Sequence, residues 1–221
     1  MPQDHNAPPT EPDLEAFDDA LLDAAMNLAA MSGWRRLTLV DAAREAGLPV
    51  DAVRARFPFK HMLLTRLGRI ADESALRDDG AGITVRERVF DLLMRRFDVF
   101  QQYREGIRAV LHALPYDPPL AALMAVLTLD TMKWIADVAG VDTEGLRGKI
   151  AVNGIAGIWA YTLRAWEKDE SLDLSSTMAA LDQALDRAER FSLLRPSATQ
   201  RMAEAAGATG GVPDHPLELE S

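Results

Sequence analysis

Residues 20–64, ALLDAAMNLAAMSGWRRLTLVDAAREAGLPVDAVRARFPFKHMLL, constrain this chain more than any other stretch. Leu14, Phe17, Leu21, Ala25, Leu28 and Met31 recur every three or four residues, the spacing of one helix face. Gly33 supplies the left-handed residue that ends many helices. Trp34 follows where an apolar side chain folds back on the last turn, and Arg35 and Arg36 occupy the link. Thr38 is suited to cap a second helix, with Asp41 three residues on at that helix's positive end. Leu39, Ala42, Ala43 and Ala46 give a small apolar face that admits a close crossing, and Gly47 turns the chain. Leu48, Val53 and Phe57 form the buried side of a third helix over 49–57. Its outer side shows Val50, Asp51, Arg54 and Ala55. Pro58 interrupts, and Lys60 opens a fourth helix holding Met62, Leu63 and Leu64.

A helix, a glycine turn and a short helix with a free outer face fit a unit that reads DNA. They also fit a plain pair of packed helices. The segment resembles the N-terminal domain of the tetracycline-repressor (TetR) family through Gly33, Thr38, Ala46, Gly47, Phe57, Lys60 and Leu63, with the spacing kept throughout. The resemblance implies an all-α, TetR-type fold: an N-terminal three-helix helix-turn-helix head on a larger helical body for ligand and dimerisation. It implies a double-stranded DNA operator met by Thr38, Val50, Asp51, Arg54 and Lys60. Pro49 stands where the family usually has a hydroxyl residue, Asp51 where it often has glycine, and Arg54 where it usually has tyrosine. Asp13, Glu15, Asp18 and Asp19 precede or open helix one, where the family often has basic residues. Arg35, Arg36, Arg44, Arg54, Arg56, Lys60, Arg66 and Arg69 keep residues 20–70 locally basic.

The 221 residues suffice for one sizeable helical core or two small ones. A net charge of −10 disfavours indiscriminate nucleic-acid binding but leaves room for a local basic patch. The chain has no cysteine, which removes disulfides, thiolate metal sites and a cysteine nucleophile. The opening MPQDHNAPPTEPD lacks the basic-then-apolar pattern of a signal peptide. No apolar run is expected to reach the roughly 20 residues of a membrane span, so the expected location is the cytoplasm.

The expected boundaries are a disordered 1–12, a head over 13–75, a body over 76–194 and a disordered tail over 195–221. Asp78, Asp79, Gly80 and Gly82 read as a loop between head and body. Thr84 caps a helix whose core face is Val85, Val89, Leu92, Leu93, Phe97 and Phe100. A short helix over 104–114 carries Ile107, Val110 and Leu111, and a longer one over 120–139 is apolar on several sides. The helix over 143–167 has a centre of small residues: Ala151, Gly154, Ala156, Gly157 and Ala160. Interior glycine costs about 1 kcal/mol against alanine, so close packing is the expected reason. With the helix over 174–191, striped by Leu174, Met178, Leu181, Leu185 and Ala188, it is expected to pair with its copy in a homodimer.

Enzyme signatures are missing. His5, His61, His112 and His215 have no metal-ligand spacing, and there is neither a glycine-rich phosphate loop nor a nucleophile elbow. No catalytic residue, metal or cofactor is expected. The body does carry groups suited to a small apolar ligand or lipid: Tyr103, Met124, Met132, Trp134, Trp159, Tyr161 and Trp166 offer wide or adaptable apolar surface. His112 and Asn153 lie within apolar stretches and could orient a polar end. Each could equally be core. The expected ligand set is Tyr103, His112, Met124, Trp134, Asn153 and Trp159. Residues 94–191 also resemble the lipid-binding ubiquinone-biosynthesis proteins that share the TetR fold. Trp134, Ala139-Gly140, Asp142-Thr143, the small-residue helix, 169–173, Thr177 and Leu181 carry that likeness. It implies an alternative function in isoprenoid-lipid binding without an operator.

Overall fold

The computed structural model describes residues 11–77 and 84–202, and its regular elements are helical. The head comprises α1 (Glu11–Ser32), α2 (Leu39–Glu45), α3 (Val50–Arg56) and the start of α4 (Met62–Leu76). The body comprises α5 (Val85–Gln102), α6 (Arg104–Ala113), α7 (Pro118–Ala139), α8 (Gly145–Lys168) and α9 (Ser175–Arg190). A single 3-10 turn, Leu114–Tyr116, joins α6 to α7. The all-helical fold expected from the periodicity is the fold observed.

The punctuation residues act as their chemistry dictates. Gly33, Gly47 and Gly140 take φ values of +85°, +67° and +81°, a region that strains any residue with a Cβ. The Thr38 hydroxyl accepts from the Asp41 amide at 3.1 Å at the head of α2. Thr84 and Glu87 form a reciprocal capping box on α5. Each body helix starts and ends within about two residues of its expected bounds, the usual latitude at frayed ends.

α1 buries Leu21, Leu22, Ala25, Met26 and Ala29 and packs on α2, α4 and α6. Met31, expected on the same stripe, is 74% exposed. The six expected core residues of α5 are all buried. They meet α8 through an aromatic cluster in which Phe97 stacks on Trp159 at 4.5 Å and Phe100 meets Trp159 edge-on at 5.5 Å. Aromatic pairs of this geometry gain about 1 kcal/mol beyond area burial. The α8–α9 turn is organised by Asp169, whose Oδ2 accepts from both the amide and the hydroxyl of Thr177 at 2.7 Å. Burial opposes the charge, but these bonds and those from Ser171 outweigh it and hold the carboxyl down to about 2.

Three expectations are revised. The tail was expected to lose structure from residue 195, yet Pro196 bridges Val141 and the Ser197 amide donates to the Gly140 carbonyl at 2.8 Å. The Gln200 side chain lies over Gly140. This backbone pairing, which needs no apolar periodicity, carries the described chain to Met202; the remainder of the expected tail lies outside the described residues. At the other end α1 already includes Glu11, and the expected disordered residues before it, like the expected loop at 78–83, lie outside the described residues. Finally, α7 is 22 residues long and apolar enough to cross a membrane by length and composition. Here it packs against α4, α5 and α8 and exposes Asp130, Lys133 and Asp137.

Two glycines test the packing. A Cβ on Gly106 of α6 would lie 2.8 Å from the Met26 carbonyl oxygen, a backbone atom of α1, whereas one on Gly68 of α4 would meet nothing within 4 Å. Gly106→Ala is expected to cost about 1–3 kcal/mol by overpacking. Gly68→Ala is expected to add up to about 1 kcal/mol of helix propensity. Thermal unfolding of the two variants should therefore shift in opposite directions.

Candidate nucleic-acid interface and ligand cavity

The outer face of α3 is open. Val53 and Phe57 are buried, while Val50, Asp51, Arg54 and Ala55 are exposed. The turn before α3 is fixed by Gly47 and by a bond from the Leu48 amide to the Ala43 carbonyl at 2.8 Å. Pro49 leads into α3 with extended backbone and no side-chain cap. Arg54 reaches past the end of α3 to donate to the Pro58 carbonyl at 2.6 Å.

The other expected DNA-facing residues are placed differently. The Thr38 hydroxyl is held within its own cap, donating to Asp41 Oδ2 at 2.6 Å. Lys60 turns inward: its ammonium donates to the Trp34 carbonyl at 2.9 Å and lies 5.3 Å from the centre of the Trp34 ring. Burial lowers its pKa from the ordinary lysine value. Lys60 thus fastens the start of α4 to the α1–α2 link.

The acids of α1 are also partly internal. Asp18, 7% exposed, receives Arg56 of α3 through two guanidinium nitrogens, one at 2.7 Å. Asp19 accepts from Arg66 of α4 at 2.8 and 2.9 Å. Two of the acids that stand where the resembled family often has basic residues therefore neutralise arginines of the head. Arg35, Arg36 and Arg44 remain exposed around α2. The nearest carboxylate to Arg44, Asp41, is 3.9 Å away, beyond hydrogen-bond reach.

Below the head lies a cavity of about 560 Å³ between α4, α5, α6, α7 and α8, within the range of small-molecule sites. Leu64, Leu67, Val110, Leu111, Met132 and Leu163 are among its apolar walls. Of the expected ligand residues, Met124 and Trp159 line it. Four do not. Tyr103 donates to Asp23 at 2.9 Å between α5 and α1, and burial with that acid raises its pKa. His112 is exposed and pairs with Glu167 at 2.9 Å. Trp134 is 59% exposed on the outside of α7. Asn153 is exposed on α8, donating to the Lys149 carbonyl at 2.7 Å.

The sequence reading missed the cavity's most unusual wall, Arg96. This α5 guanidinium is 5% exposed and pairs with Asp72 of α4. It lies 5.3 Å from the centre of Trp159 and 5.8 Å from that of Phe100. Its Nε is enclosed and has no acceptor, and burial lowers its pKa to about 10. Thr131 donates more distantly to Asp72 at 3.4 Å. The signal was present: Arg96 follows Leu92 and Leu93 by four and three residues and precedes Phe100 by four, on the buried face of α5.

Comparison with known proteins finds relatives only at the level of structure; no family model and no curated protein matches. The fold is similar to that of a TetR transcriptional regulator from Nitrosomonas europaea ATCC 19718, with a TM-score of 0.65 at 22% identity over 79% of this chain and 98% of that one. A TetR transcriptional regulator from Rhodococcus sp. RHA1 gives 0.55 at 15% identity, covering 79% and 96% of the two chains. A transcriptional regulator from Rhodococcus sp. Rha1 gives 0.54 at 17% identity, covering 77% and 94%. At these identities the likeness establishes a TetR fold.

The Asp18–Arg56 pair carries a test of the interface. It ties α3 to α1, and Asp18 is its buried partner. Asp18→Asn is expected to destabilise the protein by about 1–2 kcal/mol, discounted because Arg56 is partly exposed. Amide exchange in α3 should rise more than in α8 if the pair positions α3; a uniform rise would give it a global role instead.

Proposed function

We propose that this chain is a DNA-binding transcriptional regulator of the TetR type, working as a homodimer and controlled by a small apolar ligand. The observation that carries this is the open outer face of α3, held on a rigid frame with its other side buried. Such a helix can enter a major groove. Arg54 suits guanine and Asp51 suits a cytosine amino group. The backbone amides at the start of α2, beside Thr38, with the exposed Arg35, Arg36 and Arg44 meet phosphates. Lys60 contributes by holding the frame.

α4 links the proposed interface to the cavity. Lys60, two residues before it, holds the α1–α2 link, while Leu64, Leu67, Gly68 and Asp72 line the cavity. A ligand that fits one setting of α4 better than another shifts the heads, by as much as its affinities for the two settings differ.

A second copy is supported by α8. Leu146, Ile150 and Tyr161 are 76%, 51% and 46% exposed, and they share a face with Asn153 and Gly157. A Cβ on Gly157 would meet nothing within 4 Å, so its cost in the helix has no explanation inside one chain.

The deciding experiment is binding to genomic fragments flanking the coding region at several salt concentrations. Specific retention of one fragment, with affinity falling steeply as salt rises, is expected; no preference at low salt would refute the reading. Arg54→Ala should weaken that fragment by about 1–3 kcal/mol and non-specific DNA by less, whereas equal losses would remove Arg54 from base readout. Gly157→Arg should give a monomer in analytical ultracentrifugation with unchanged helix content; a persisting dimer would place the interface elsewhere.

A further inference from the structure

The cavity combines a largely apolar interior with one buried cation. Arg69 and Asp130 also line it, but both are exposed. Arg96 is the charged group among its buried walls, and one carboxylate, that of Asp72, meets its guanidinium. A buried guanidinium presents five donors and is costly to leave partly satisfied, and here Nε has no acceptor. Asp72 differs from Arg96 in its access to water: its side chain is 32% exposed, against 5% for Arg96. A carboxylate leaving this pair thus has solvent to enter, while the arginine has none.

We propose that the cavity takes an elongated apolar acid, whose carboxylate binds Arg96 in exchange for Asp72. This rests on the ligand-controlled reading above and names its ligand class. The apolar body lies along Leu67, Val110, Leu111, Met124, Met132 and Leu163, which offer no polar partner to a second charged end. A carboxylate matches the guanidinium as a fork with two parallel bonds. A cationic amphiphile would find, besides the exposed Asp130, only Asp72, which Arg96 already holds, and would bring its charge against the arginine. The exchange keeps Arg96 neutralised throughout. It also breaks the ion pair that ties α4 to α5, so the ligand's charge is felt by the helix that bears the head.

The probes are decanoate, decanol and decyltrimethylammonium, below their micellar concentrations, added to the full-length protein and followed by isothermal titration. Decanoate is expected to bind tighter than decanol by about tenfold or more, the worth of a charge-assisted bond, and decyltrimethylammonium is expected not to bind. Arg96→Gln should erase the preference while retaining decanol. If that variant fails to fold, Arg96→Lys, which keeps the charge but loses the fork, should reduce the preference. Asp72→Asn removes the competing carboxylate and should tighten decanoate several-fold with little effect on decanol. Equal binding of decanoate and decanol to the wild-type protein, or no binding of either, would overturn the acid assignment. Weaker decanoate binding by Asp72→Asn would overturn the exchange. The DNA-retention measurement is separate: a retained fragment with no acid preference refutes only the ligand class, and acid preference without a retained fragment refutes only the regulator.

Discussion

α2 and α3 are seven residues each, too short to hold themselves in water. Nucleating a helix costs more than two turns of backbone bonds return, so isolated helices below about 12 residues are marginal even in good sequences. The rest of the head follows from that limit. α1, with 22 residues, supplies a buried face of small and medium residues for α2. Asp18 reaches Arg56 at the far end of α3, and Lys60 ties the next turn back to the Trp34 and Leu37 carbonyls. α3 therefore takes the position that α2, the Asp18 pair from α1 and the Lys60 tie impose.

α4, which follows Lys60, faces the opposite problem at its other end. Asp72 compensates a guanidinium that α5 has carried out of water. Removing such a charge costs several kcal/mol unless a partner is present, so α4 and α5 are held together by a group that the fold needs and that a ligand can replace. Apolar walls alone would give affinity without direction, because an apolar contact does not distinguish one end of a molecule from the other. The buried Arg96, stacked near Trp159 and Phe100, supplies that direction within an otherwise apolar space.

The helices were legible because their signals are local. Apolar spacing marks the faces, Thr38 and Thr84 mark starts, and Gly33, Gly47 and Gly140 mark turns that only a residue without Cβ enters freely. The outer face of α3 was legible for the same reason, since Val53 and Phe57 fix which side is buried. The cavity was only partly so. Met124 and Trp159 fall in it, but Trp134, His112 and Asn153 face outward. α7 is apolar on several sides, so its sequence does not say which side meets α4 and α8; tertiary packing decides. Arg96 was overlooked because cations are ordinarily assigned to solvent, although its spacing put it among core residues. Lys60 was read as a free cation because a lysine's reach to a backbone carbonyl twenty-six residues away leaves no mark in sequence.

The glycines of α8 separate what one chain explains from what it does not. Gly148 sits against the Thr143 backbone, and a Cβ there would overlap it. Gly154 faces Leu193, 3.1 Å from where a Cβ would lie. Both are accounted for by the folding of one chain. Gly157 has no such neighbour, and it lies on the exposed face with Ile150 and Tyr161. Close to it in the helix, Ala156, Trp159, Ala160 and Leu163 line the cavity. α8 thus has the ligand space on one side and the face proposed for a second copy on another. In the dimer proposed above, a ligand that moves α4 would do so beside an α8 held by the second copy, and the contacts of α4 with α1 would pass the displacement to the head.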